Sequence, residues 1–213
     1  IKKPMNDVRR ALQYIRYRAS DFNIDKNKII LAGNSAGAGT SLWIAFNNDF
    51  IDVQNSDPVL RQSSRVKGVV AHETQASYNI EDRWVNDVFS DYRITWSEIL
   101  TNETGNIRKI YGVSSNVQYE SAAIDAYRAE VDMLSLMTID DPEIWINNTL
   151  RDVAHPYSAP EISSHHAFHA RELKERADAI GVKNIAFYGK NPIIYAHPGN
   201  ENWVQFCKRK VNE

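Results

Sequence analysis

The sequence predicts an α/β protein built on a parallel, doubly wound sheet, and two observations carry that prediction. Short apolar runs recur at residues 28–32, 65–71, 143–147 and 184–188. Helical periodicities fall between them, and strands alternating with helices close most simply as parallel crossovers.

The first helix begins near Pro4, a residue suited to a first helical turn. Val8, Ala11, Leu12, Ile15 and Ala19 then recur at helical spacing with arginines between them. Asp21 to Lys28 is polar and turn-like, and Lys28-Ile-Ile-Leu-Ala32 reads as a buried strand stopped by Gly33. Leu42, Trp43, Ile44 and Phe46 mark a helix that ends near Asn47. The second and third strands are predicted at Arg65–Ala71 and Glu143–Asn147, the third introduced by Asp140-Asp141-Pro142. Phe168, Leu173, Ala177 and Ile180 share one helix face, with Gly181 as its stop. A fourth strand at Asn184–Tyr188 and a last helix around 200–210 complete the pattern.

Residues 74–139 break the alternation. They are rich in aromatics, helical in pattern and too long for a bare loop, so they are expected to form an inserted helical cap. This divides the chain into core residues 1–73, a cap of 74–139, and core residues 140–213.

Composition narrows the function classes. The 213 residues carry 25 Lys+Arg against 27 Asp+Glu, a balance that argues against disorder and against electrostatic binding of nucleic acid. No run of about 18 apolar residues is present to span a membrane. Cys207 is the single cysteine, so no internal disulfide forms.

Gly33-Asn34-Ser35-Ala36-Gly37 is the segment that carries chemistry. A G-x-S-x-G sequence between a strand and a helix puts serine on a sharp turn, where bulky flanking residues would strike the backbone. The turn lifts Oγ clear of the sheet, and the following helix offers N–H groups to a developing oxyanion. Ser35 is thus the predicted nucleophile and the Ala36 N–H an oxyanion donor. A glycine-rich phosphate loop is the alternative, weakened because neither G-K-[ST] nor G-x-G-x-x-G is present.

From Asp7 through Ala11-Leu-Gln-Tyr-Ile-Arg16 to Asp25 and the Gly-Asn-Ser-Ala-Gly37 elbow, the chain resembles the α/β-hydrolase carboxylesterase/lipase family. The hormone-sensitive-lipase-like and feruloyl-esterase-like branches are the most similar. The resemblance is strong over residues 7–46, fair over 140–181 and weak in the cap and at the C-terminus. It implies an α/β-hydrolase fold of which the readable strands are the last four, with the N-terminal strands and their oxyanion loop missing from this chain. An N-terminal part of the same enzyme, as a separate chain or an omitted segment, is accordingly an expected partner.

Triad order in that fold is Ser, then acid, then His. It implies Asp152 as the acid, with Glu161 as fallback, and His197 as the base. His165 and His166 remain alternative bases, since a histidine cluster (His155, His165, His166, His169) precedes the 168–180 helix. His166 and His169 have a spacing that metal sites use, but without Cys or H-E-x-x-H no metal is expected. Asn34, Glu73 and Gln75 lie where strand ends face a ligand crevice. They line the pocket, support the triad, or simply pack the first turn of the cap.

These residues imply a serine carboxylic-ester hydrolase working through an acyl-enzyme on a small-molecule ester, of small acyl or aryl groups or of esterified saccharides, with no cofactor. A secreted or periplasmic setting is the expectation. The rivals are a hydrolase-like domain that binds a ligand or partner without catalysis, and a peptidase or thioesterase on the same elbow.

Overall fold

The computed structural model describes residues 1–150, 163–190, 193–196 and 199–213. Helix α1 (Lys2–Tyr17) leads into β1 (Ile30–Asn34), α2 (Ala36–Phe46) and β2 (Gly68–His72). A helical region follows: a π-helical segment at Ile80–Val88, a 3-10 turn at Ser90–Tyr92, then α3 (Trp96–Tyr111), α4 (Asn116–Tyr119), α5 (Ala122–Glu130) and α6 (Met133–Leu136). The chain then returns to the sheet through β3 (Glu143–Asn148), a 3-10 turn at Ser163–His165, α7 (Ala167–Ile180), β4 (Asn184–Lys190), β5 (Ile193–Ala196) and α8 (Trp203–Asn212).

The sheet order is β1-β2-β3-β4-β5. The first four strands are parallel, in register Ile30↔Gly68, Gly68↔Glu143 and Ile144↔Asn184. β5 is antiparallel to β4, with Phe187 opposite Ala196. This corrects the sequence reading, which found four strands. Ile193–Ala196 is too short, and too close behind β4, to stand out by periodicity. Among the described residues β1 pairs with β2 alone, so it forms one edge of the sheet.

Strand alternation builds both faces of the sheet. Val69, Ala71, Ile144 and Ile146 point toward α2 and α7, while Val70, Trp145 and Ile185 pack with Phe206 of α8. Helix α8 is fixed further by Arg209, which reaches Glu143 in two bonds of 2.7 and 2.9 Å.

The aromatics of residues 74–139 serve as core. Trp84, Phe89, Tyr111 and Tyr119 are buried and belong to the same apolar cluster as α2 and the sheet. A capping box at Thr95 and Glu98 starts α3, and Gly112 at φ 70° stops it.

Candidate active site

Ser35 sits between β1 and α2 with φ 51° and ψ −123°, a conformation costly for any residue with a Cβ. The surroundings hold it there. The Ser35 N–H donates to the His72 carbonyl at 2.9 Å, and its carbonyl accepts from the Gly39 N–H at 3.0 Å. The serine is thereby thrust off the sheet at the head of α2.

The two glycines of the motif have different reasons. A Cβ at Gly33 would lie 2.3 to 2.5 Å from backbone atoms of Gly37 and Ala38, which cannot move aside, so only glycine fits. At Gly37 a Cβ would meet nothing within 4 Å. The expectation that both flanking positions are sterically closed therefore holds for Gly33 and is corrected for Gly37.

Ser35 Oγ is 2.8 Å from Nε2 of His165. For the hydroxyl to donate, Nε2 must be the unprotonated nitrogen and the imidazole proton must lie on Nδ1. Among the described residues, the one in hydrogen-bonding reach of the Ser35 hydroxyl is His165, one of the two alternative bases. Asp152, Glu161 and His197 lie outside the described residues. Ala196, the described residue before His197, is on β5, at the sheet edge remote from β1.

His166, the other alternative base, does something else. It is fully buried, and its Nδ1 accepts from the Phe168 N–H at 3.1 Å, capping α7. Its Nε2 lies 3.4 Å from the Tyr92 hydroxyl in an aromatic nest of Phe89, Tyr92 and Phe168, so both ring nitrogens face structural partners. His169 is likewise structural. Its Nδ1 accepts from the Ala76 N–H at 3.2 Å and its Nε2 donates to the Ser163 carbonyl at 2.8 Å. Burial lowers its pKa to about 3, so it stays neutral. Among the described residues no group of three or more His, Cys, Asp or Glu is arranged to hold a metal.

The remaining sequence candidates resolve individually. Ala36 is the first residue of α2, so its N–H lies in the turn that lacks intrahelical acceptors. Asn34 ends β1 and is exposed beside the elbow. Glu73 takes a left-handed backbone at φ 46° and its Oε1 accepts from the N–H and hydroxyl of Thr149, just past the end of β3. Gln75 is buried, and its Nε2 donates to the Ser164 carbonyl at 2.7 Å, beside His165. That contact joins a side chain to a backbone carbonyl 89 positions away, a pairing that carries no sequence signal.

His72, whose carbonyl holds Ser35, packs its ring 5.1 Å from Trp145, and burial lowers its pKa. The site as described offers a strained serine, an imidazole in reach of it and a helix N-terminus behind it.

Comparison with known proteins bears on the same region. The BD-FAE family model matches residues 2–124. Endo-1,4-beta-xylanase B of Butyrivibrio fibrisolvens is 37% identical over 70 residues, 32% of this chain and 11% of that protein. Among solved structures, an acetyl ester-xyloside bifunctional hydrolase from Caldicellulosiruptor lactoaceticus superposes with a TM-score of 0.57 at 19% identity, over 85% of this chain and 53% of its own. A bifunctional GH43-CE protein of Bacteroides eggerthii also gives 0.57, at 17% identity, over 97% of this chain and 27% of its own. The chain thus spans about half, or less, of the length of these relatives.

Proposed function

The chain belongs to the BD-FAE family and has the α/β-hydrolase fold, and on that premise we propose that it carries the nucleophile and base of a serine carboxylic-ester hydrolase. One observation supports this most directly: a serine on a strained strand-to-helix elbow lies 2.8 Å from an imidazole nitrogen. The neighbouring hydroxyls of Thr40 and Ser41 instead donate to backbone, on the carbonyls of Ala36 and Gly37.

In this reading Ser35 Oγ attacks the ester carbonyl carbon while its proton passes to His165 Nε2. The carbonyl oxygen becomes an oxyanion that the Ala36 N–H stabilises. His165 returns the proton to the leaving alkoxide, which departs as an alcohol and leaves an acyl-Ser35 ester. Water attacks that ester, His165 takes its proton, and the acid and free serine are released. Asp152 is the first carboxylate after β3 and the proposed partner of the imidazole. The 70-residue match to a xylanase directs the substrate reading to acyl esters carried on saccharides.

Fluorophosphonate labelling tests the proposal. Wild-type protein takes one equivalent of label on Ser35, and Ser35→Ala takes none. A folded protein that takes no label is a binding module and overturns it. Turnover of p-nitrophenyl acetate and acetylated xylo-oligosaccharides, against peptide and thioester substrates, separates an ester hydrolase from its rivals on the same elbow.

A further inference from the structure

We infer that Gln75 is a positioning residue whose amide holds the turn carrying His165 in place, with Tyr78 tying that amide to the nucleophile-bearing helix α2. The inference rests on the reading of Ser35 and His165 as nucleophile and base.

The histidine-bearing turn is only three residues, Ser163–His165, too short to fix its own position. Its placement must come from side chains elsewhere in the chain. Gln75 Nε2 donates to the Ser164 carbonyl, immediately before His165, at 2.7 Å. A carbonyl can only accept, so the amide nitrogen must face the turn and Oε1 must face away. Oε1 then accepts from the Tyr78 hydroxyl at 3.1 Å.

Tyr78 in turn abuts α2. A Cβ at Gly39 would lie 2.4 Å from the Tyr78 hydroxyl oxygen and 2.9 Å from its ring carbons, so the helix approaches the phenol as closely as glycine allows. The Gly39 N–H donates to the Ser35 carbonyl. An unbroken path therefore runs from the residue beside the base, through Gln75, Tyr78 and Gly39, to the nucleophile. Gln75 and Tyr78 are 5% and 3% exposed, so solvent does not readily replace either bond.

The rest of the turn is pinned one residue earlier. Ser163 donates through its hydroxyl to Glu103 and accepts through its carbonyl from His169. Removing Gln75 thus leaves the turn attached but frees the peptide that sets the direction of the His165 side chain. A misplacement of about 1 Å at such a site is enough to cost up to ~100-fold in rate.

The test uses the full chain with Gln75→Leu, an apolar side chain of comparable bulk that removes both bonds. Active sites are titrated with a fluorophosphonate, and kcat and KM are measured on p-nitrophenyl acetate. We expect kcat per titrated site to fall by roughly 10- to 100-fold with KM within about twofold, and the acid limb of the kcat/KM profile to move. Tyr78→Phe, which keeps the ring, is expected to lower kcat in the same direction by a smaller factor, and it serves alone should Gln75→Leu fail to fold. An unchanged kcat per titrated site overturns the inference, as does a loss that only follows the number of titratable sites. Activity that survives in His165→Ala overturns the site reading and this inference with it. Activity abolished in His165→Ala but unaltered in the Gln75 and Tyr78 variants overturns this inference alone.

Discussion

Ser35 Oγ and His165 Nε2 lie 2.8 Å apart although 130 positions separate them in the chain. The separation is bridged by strand order. β1 ends at Asn34, directly before Ser35, and the connection from β3 to α7 ends in the turn that carries the histidine. This relationship, together with the groups that hold it, gives the following expectations.

Removing either member of the pair should stop turnover. Ser35→Ala and His165→Ala are each expected to lower kcat on p-nitrophenyl acetate by about 10³-fold or more. His197→Ala, measured beside them, decides between the two histidines. Loss of activity in that variant with retention in His165→Ala would assign the base to His197 instead.

Acid should weaken the fold through His169. Burial opposes the charged ring and lowers its pKa from the ordinary 6.5 to about 3. The unfolded chain therefore binds a proton that the native one refuses, between pH 6.5 and about 3. Stability from this group is full above that window and falls with pH inside it, by at most about 1.4 kcal/mol per unit. Urea denaturation at pH 7, 6 and 5 should show the decline, and His169→Gln should flatten it.

The two motif glycines should behave oppositely. Gly33→Ala puts a methyl 2.3 Å from the Gly37 carbonyl carbon, and the elbow must distort or the chain must unfold. Gly37→Ala adds a methyl where nothing lies within 4 Å, inside a helix that favours alanine over glycine by about 1 kcal/mol. Thermal melts of the two variants should bracket the wild type, with Gly33→Ala below it. A destabilised Gly37→Ala would show that the space beside the elbow is not open in solution.

Phe206 should anchor α8. It is fully buried against Val70, Trp145 and Ile185. Phe206→Ala removes the α8 ring packed in that cluster and is expected to cost about 3–5 kcal/mol. Gly68→Ala presses on the same ring, at 2.9 Å from its edge, and should destabilise by less because that ring can shift. Denaturation midpoints of both variants check this.

Local signals in the sequence were legible where the residues concerned are neighbours in the chain. Gly33 to Gly37 specifies the elbow through its own sterics, and the apolar runs at 28–32, 65–71, 143–147 and 184–188 each became a strand of the parallel sheet. β5 was missed because four residues turning back beside β4 carry no period of their own. His166 and His169 looked alike to His165 in sequence, since all three precede or open the same helix. Only burial distinguishes them: two rings are spent on α7 and on the Ala76 and Ser163 backbone, and the third faces Ser35.

The sequence by itself determined the parallel α/β scaffold, the strained serine and the place of the helix N-terminus behind it. Those are set by side-chain periodicity and by the steric demands of a five-residue turn. Among the described histidines, the tertiary structure decided which imidazole meets Ser35, because that depends on the bonds that Gln75 and His169 donate to the Ser163–His165 turn and the one that Glu103 accepts from it. It also decided that Gly33 is closed and Gly37 open, since free space belongs to the packed surroundings of a residue and not to its name.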